Sequence, residues 1–148
     1  MTLNCNGKIL DLKTPKIMGI LNLTPDSFYD GGKYQSVKLA TDRCYKMLKQ
    51  GADIIDIGAA SSRPGSKIIS EKEELRRLST ILKTLVKEFN SAIFSVDTFR
   101  SLIAKASLDE GVAIVNDITA GKFDSKMLPL VGKYNAVYVA MHMQGVPS

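Results

Sequence analysis

The segment Ile17 to Gly32, IMGILNLTPDSFYDGG, changes character halfway, and that change limits what the chain can become. Ile17 to Leu23 is short, apolar and nearly uncharged, with no period-two alternation, which predicts a strand buried on both faces, as in a parallel sheet. Asn22, Thr24, Pro25, Asp26, Ser27, Asp30, Gly31 and Gly32 follow, a run too polar and too rich in breakers to pack in a core, so it predicts a loop. A buried parallel strand that delivers polar residues at its C-terminal end is how α/β folds build ligand sites.

The pattern recurs along the chain. Val37, Ala40, Cys44, Met47 and Leu48 keep helical spacing, with Ser36 as N-cap and Gly51 past the end. Asp53 to Ile57 is a second strand, followed by the polar loop GAASSRPGS at Gly58 to Ser66. Ser70 and Glu73 form a capping box ahead of an apolar stripe of Leu75, Leu78, Ile81, Leu82, Leu85, Val86 and Phe89. Ala92 to Val96, Val112 to Val115 and Ala136 to Met141 are the third, fourth and fifth strands. Between them lie a helix carrying Leu102, Ile103 and Ala106 up to Gly111, and another over Met127 to Tyr134, with Pro129 near its first turn. Before all of these, Leu3 to Leu12 reads as a hairpin turning at Asn6-Gly7, a small lid preceding the main fold.

At 148 residues, 45% of them hydrophobic and 24% charged, the chain is long enough for one domain with a true core. The formal charge of +5 comes from scattered lysines in a chain without Trp, which suits a surface mildly attractive to small anions rather than nucleic acid. Cys5 and Cys44 fit no metal-ligand spacing and no multi-bridge framework, so both are expected to be reduced, Cys44 as a small core residue. No signal-peptide pattern and no apolar run near the roughly 20 residues that span a bilayer is present, which leads to the expectation of a cytoplasmic, soluble protein with no membrane partner.

Placed side by side, the strand ends carry Asn22, the Asp56 to Arg63 segment, Asp97, Asn116 and His142. Any one of them alone reads best as a cap or turn former, and for Asp117 and Asp124 that reading stands. Five on successive strand ends describe a functional rim. Two folds accommodate the count: a doubly wound flavodoxin-like sheet, or part of a (β/α)8 barrel of roughly 250 residues. Length favours the first. The lack of a covering helix after the fifth strand favours the second.

The loops NLTPDSFYDGG (Asn22 to Gly32) and DIGAASSRPGS (Asp56 to Ser66) resemble the two signature loops of dihydropteroate synthases. FSVDTFR (Phe94 to Arg100), IVNDITAG (Ile114 to Gly121) and MHMQG (Met141 to Gly145) resemble the family's next three strand ends, so the resemblance covers essentially the whole chain in order. It implies an α/β TIM barrel, of which residues 1–148 hold the hairpin and the first five strands with four helices. The implied reaction joins a dihydropterin methyl diphosphate to 4-aminobenzoate with release of diphosphate, on the route to folate. A homodimer is implied for the complete protein.

By the same resemblance Asn22 is the Mg²⁺-proximal residue, Asp97 and Asn116 recognise the pterin, and Met141 belongs to the substrate site. A carboxylate and a carboxamide can complement the donors and acceptors of a pterin edge, and an Asn oxygen is a hard ligand for Mg²⁺. Asp26 is a candidate to stabilise cationic character on the pterin, Arg63 to pair with Asp26 or diphosphate, and Phe28, Ser62 and Pro64 to line the aminobenzoate slot. Ser62 stands where the family usually has Thr, keeping the hydroxyl, and Ala60 where many relatives carry a polar residue. The family's later pterin-binding Asp, its Ser-Arg-Lys segment and its diphosphate-gripping Arg and His have no counterpart before Ser148. His142 is expected to be a packed or supporting histidine. A related pterin-binding methyltransferase is the second enzyme reading, disfavoured by the TPDSF and SSRPG loops; a non-catalytic flavodoxin-like binding module is the third. Both loops, Thr24 to Tyr34 and Ala59 to Ile68, are expected to be mobile without ligands.

Overall fold

The computed structural model of the chain describes residues 1–23, 32–59 and 69–142. Strands β1 (Thr2–Cys5) and β2 (Lys8–Asp11) pair antiparallel. Asn6 and Gly7 between them adopt φ of 53° and 83°, the left-handed values a two-residue hairpin turn requires. There follow β3 (Met18–Asn22), α1 (Gly32–Lys49), β4 (Ile54–Gly58), α2 (Glu71–Glu88), β5 (Ile93–Asp97), α3 (Ser101–Asp109), β6 (Ile114–Asp117), α4 (Met127–Tyr134) and β7 (Val137–Ala140).

Strands β3 to β7 form one five-stranded parallel sheet in sequential order. A flavodoxin-like sheet would place its second strand outside its first, so that alternative is excluded. Neighbouring parallel strands, each returning through a helix, are the arrangement of the (β/α)8 barrel, of which this sheet is a part.

The sheet has two unlike faces. Toward the helices, Leu21, Ile55, Ile57, Phe94, Val96 and Val115 pack against Ala40 and Cys44 of α1, Leu78, Leu82 and Leu85 of α2, Ile103 of α3 and Met127 of α4. Each large apolar side chain buried this way contributes on the order of 1.5–3 kcal/mol. Cys44 is fully enclosed in this layer, and burial, then the Glu88 charge, pushes its thiol up to about 12. On the opposite face the N-terminal ends of the strands are apolar, and Cys5 and Leu10 of the hairpin cover Ile54, Ile93, Ala113 and Ile114 there. Lys8 Nζ ties the hairpin to the Ala92 carbonyl at 2.5 Å. The hairpin therefore plugs the end of the sheet opposite the polar strand ends and does not act as a lid over them.

Several local expectations are corrected. Ile20 of β3 is 60% exposed, so β3 is not buried on both faces, and Ile17 just ahead of the strand is equally exposed; among the described residues no strand pairs with its outer edge. Helix α1 starts at Gly32, which places Ser36, expected as its N-cap, inside the helix along with the end of the first loop. On α3 the buried residues are Ile103, Ala104, Ser107 and Leu108, while Leu102 is exposed, because the helix turns a stripe one residue along toward the sheet. Ser70 does cap α2, accepting from Glu73 N at 3.3 Å. Glu73 does not return the bond: its carboxylate is taken by Arg76 and Arg77 at 2.7–2.8 Å. The mobility expected of the two loops falls on residues outside those described, apart from residues 32–34, which open α1, and Ala59, which is fully buried.

Candidate functional site

Parallel register decides which side chains meet. Asn22 pairs with Gly58, Gly58 with Asp97, Asp97 with Asn116, and Asn116 with Val139. Since paired residues of a sheet point to the same side, Asn22, Asp97 and Asn116 share one row on the inner face, at the C-terminal ends of the strands. The row below runs Ile20, Asp56, Ser95, Ile114 and Val137. Below that, Met18, Ile54 and Ile93 meet the hairpin plug.

Gly58 creates the opening in the upper row. A Cβ at this position would lie 3.4 Å from Asp97 Cβ and Oδ2 and 3.6 Å from Asn22 Oδ1. The carboxylate of Asp97 and the carboxamide of Asn22 thus flank a space that any side chain would fill. Burial first, then the negative charges of Asp56, Glu74 and Asp117, push the Asp97 carboxyl up to about 7. Asn22 is exposed and Asp97 and Asn116 are half-buried, so all three remain reachable.

One tier down, Asp56 is only 4% exposed, in the middle of an otherwise apolar strand. Its Oδ2 accepts from Asn116 Nδ2 at 3.0 Å. Burial raises its pKa, and the Ser95 hydroxyl and the Asn116 amide hold it back. Asp56 Oδ1 and Ser95 Oγ are enclosed without a hydrogen-bond partner of good geometry among the described residues.

Behind the strand ends lies a second polar network. Glu74 of α2, 1% exposed, pairs with Arg100 and accepts from Thr98 Oγ1 at 2.8 Å. Arg100 also donates to the Ile69 carbonyl at 2.7 Å and lies over the Phe99 ring. The segment after β5 is thereby fastened to the residue that leads into α2. Asp124 adds a further tie, accepting from Ser101 N at 2.7 Å to cap α3 from outside.

Asp117 has the structural role expected of it. Fully buried, its carboxylate accepts from Thr119 N and Oγ1 (both 2.8 Å), Gly121 N (2.9 Å) and Tyr138 Oη (2.8 Å), which shapes the turn after β6. His142 is exposed just beyond β7, which corrects the expectation of a packed histidine. Met141, 44% exposed, stands beside it. Asp26, Phe28, Ser62, Arg63 and Pro64 lie outside the described residues.

The expected trio of Asn22, Asp97 and Asn116 is therefore brought together. Sequence reasoning missed the Asp56 contact beneath it and the Glu74–Arg100 pair behind it. A carboxylate within the apolar run DIIDI was the available sign of the first; the second gave none, because Glu74 sits among other charges at a helix start.

Among the described residues no group of three or more His, Cys, Asp or Glu side chains could hold a metal ion, and no helix is long and apolar enough to cross a membrane. Comparison with known proteins matches residues 18–148 to the family model for pterin binding enzymes. The chain is 49% identical over 145 residues to the mitochondrial folate synthesis bifunctional protein of Pisum sativum, covering 97% of this chain and 28% of that protein. It is 49% identical over 132 residues to the dihydropteroate synthase of Staphylococcus epidermidis, covering 86% and 48%. Among solved structures, Xanthomonas albilineans dihydropteroate synthase with 4-aminobenzoic acid superposes with a TM-score of 0.89 at 38% identity, over 97% of this chain and 52% of that one. The Yersinia pestis dihydropteroate synthase, in complex with a sulfonamide drug, gives 0.88 at 39%, over 100% and 53%. The chain thus spans about half the length of these bacterial relatives and about a quarter of the plant protein.

Proposed function

We propose that this chain, which belongs to the pterin-binding enzyme family, carries the N-terminal half of a dihydropteroate synthase barrel and, with it, part of the pterin-recognising site. The proposed reaction condenses 6-hydroxymethyl-7,8-dihydropterin diphosphate with 4-aminobenzoate. The arylamine nitrogen forms a bond to the pterin methylene carbon as the carbon–oxygen bond to diphosphate breaks. The bonding pair leaves with diphosphate, and the amine gives up a proton.

The observation that carries this reading is the register row in which Asn22 and Asp97 flank the space left by Gly58 and Asn116 stands next to Asp97. Asp97 supplies a half-buried acceptor and Asn116 a carboxamide, which together suit the N–H donors and ring acceptors of a pterin. At low dielectric such hydrogen bonds fix the ring, so the exocyclic methylene is held for attack. Asp26 would stabilise positive charge that develops on the pterin as the diphosphate departs, with Arg63 pairing to Asp26 or to diphosphate. Phe28, Ser62 and Pro64 would line the aminobenzoate slot, and Met141 would contact substrate at the rim.

The residues fit Mg²⁺ as a shared ligand. Asn22 offers one exposed hard oxygen beside the Gly58 opening, in keeping with a cation that binds through few protein groups and keeps phosphate oxygens and water. When bound, Mg²⁺ neutralises charge on the departing diphosphate. Small-molecule substrates are the expected partners, and a homodimer is the expected assembly of the complete protein.

Titration calorimetry with 6-hydroxymethyl-7,8-dihydropterin diphosphate, followed by a diphosphate-release assay with 4-aminobenzoate, tests the reading on the protein carrying this sequence. Pterin binding that Asp97→Asn weakens, with release dependent on aminobenzoate, is the expected result. Binding indifferent to Asp97, or release without aminobenzoate, would overturn it.

A further inference from the structure

The lower tier of the site has a function of its own. We propose that Asp56 is a positioning residue that fixes the Asn116 carboxamide with its amino group turned inward, so that the floor offers the pterin a carbonyl oxygen beside the Asp97 carboxylate. The inference rests on the pterin reading above.

The geometry is direct. Asn116 Nδ2 donates to Asp56 Oδ2 at 3.0 Å, across strands joined only through β5. A carboxylate is an acceptor only, so it can face the amino end of a carboxamide but not its oxygen. An unconstrained Asn would present either end and hence accept a ligand donor or a ligand acceptor alike. With one N–H of its amino group engaged by Asp56, the carboxamide is kept from flipping, so its oxygen is held at the end away from Asp56, where a ligand donor can meet it. The upper row then reads as two adjacent acceptors, Asp97 and Asn116, paired in register. Two acceptors side by side select heterocycles that offer N–H donors, as the 2-amino pyrimidinone edge of a pterin does, and reject an oxo group at the same place.

Burial gives the arrangement its rigidity. Asp56 is 4% exposed and Ser95 is fully enclosed, so neither is free to turn toward solvent. Asp56 Oδ1 and Ser95 Oγ, on residues paired in register, are enclosed without a hydrogen-bond partner of good geometry among the described residues. A hydroxyl that can rotate toward that oxygen is the nearby donor able to steady the carboxylate. A buried acid kept in the middle of a strand, where an apolar residue would stabilise the sheet more, has a use beyond packing.

The test is a double-mutant cycle read by calorimetry on the protein carrying this sequence, with 6-hydroxymethylpterin and the matching lumazine, in which an oxo group replaces the 2-amino group. Asp56→Asn should weaken pterin binding about tenfold and shrink the preference for pterin over lumazine by a similar factor. In an Asn116→Ala background the same change should add little, because its effect passes through that carboxamide. Equal losses in both backgrounds, or weaker pterin binding with the preference intact, would overturn the proposal. If Asp56→Asn does not fold, the unsubstituted protein still decides: the Asn116 side-chain amide should exchange slowly by nuclear magnetic resonance, and fast exchange would refute the fixed orientation. A protein that binds neither heterocycle would instead refute the pterin reading itself.

Discussion

Buried Glu74 and half-buried Arg100 form an ion pair that joins the first turn of α2 to the segment after β5, with Arg100 also held by the Ile69 carbonyl. Asp97, the acid of the upper row, lies three residues before Arg100 in the chain, so the pair stiffens the backbone from which Asp97 projects. Removing Arg100 leaves the Glu74 charge enclosed without its counterion. Arg100→Ala should therefore cost about 3–5 kcal/mol of stability, and urea denaturation measures it. Arg100→Lys should recover only part, since a single ammonium does not reproduce the guanidinium's simultaneous reach to Glu74 and Ile69. Full recovery by lysine would show that charge alone matters.

Asp97 should make both stability and ligand binding depend on pH. Its folded value of about 7 lies above the ordinary 3.8. Between roughly pH 4 and pH 7 the folded state then binds more protons than the unfolded one, so stability declines as pH rises through that window. Asp97→Asn should lack the decline, which urea denaturation at about pH 5 and about pH 8 would reveal. Pterin donors require the ionised acceptor, so affinity should rise over the same window. The substitution should weaken pterin binding by about 1–3 kcal/mol by leaving a donor unmatched.

Gly58→Ala separates the opening from the fold. The added Cβ meets Asp97 and Asn22 atoms at 3.4–3.6 Å, ordinary contact distances. Stability should change by no more than about 1 kcal/mol, while ligand affinity falls about tenfold because the methyl occupies the space between the two side chains. Thermal melting and calorimetry check the two halves. A parallel loss of stability and affinity would mean that Gly58 serves the backbone instead.

Residues 1–148 prepared on their own should associate and lack turnover. Ile20 is 60% and Val139 40% exposed on the inner face, and among the described residues β3 and β7 each have an edge with no strand partner. Exposed apolar faces and open edges promote pairing between chains. Sedimentation and a diphosphate-release assay are the checks, and a monodisperse monomer with turnover would contradict both the partial-barrel account and the proposed division of the site.

Local patterns reached far in this chain. The alternation of short apolar runs with helical stripes predicted every strand and helix of the parallel layer, and Asn6-Gly7 predicted the hairpin, because these features depend on residues close in sequence. The motifs at Asn22, Asp97 and Asn116 likewise marked the rim before any contact was known. Strand order, register and orientation were decided by tertiary structure. Periodicity alone admitted two folds, and only the sequential pairing of β3 to β7 separated them. Which stripe of α3 faces the sheet, whether Ile20 is covered, and that the hairpin plugs the far end depend on what packs opposite, which no local window contains. The same holds for Asp56 and Asn116, 60 positions apart in the chain and joined by one hydrogen bond. A side chain's type is written in the sequence, but the partner that fixes its orientation is supplied by the register of strands distant along it.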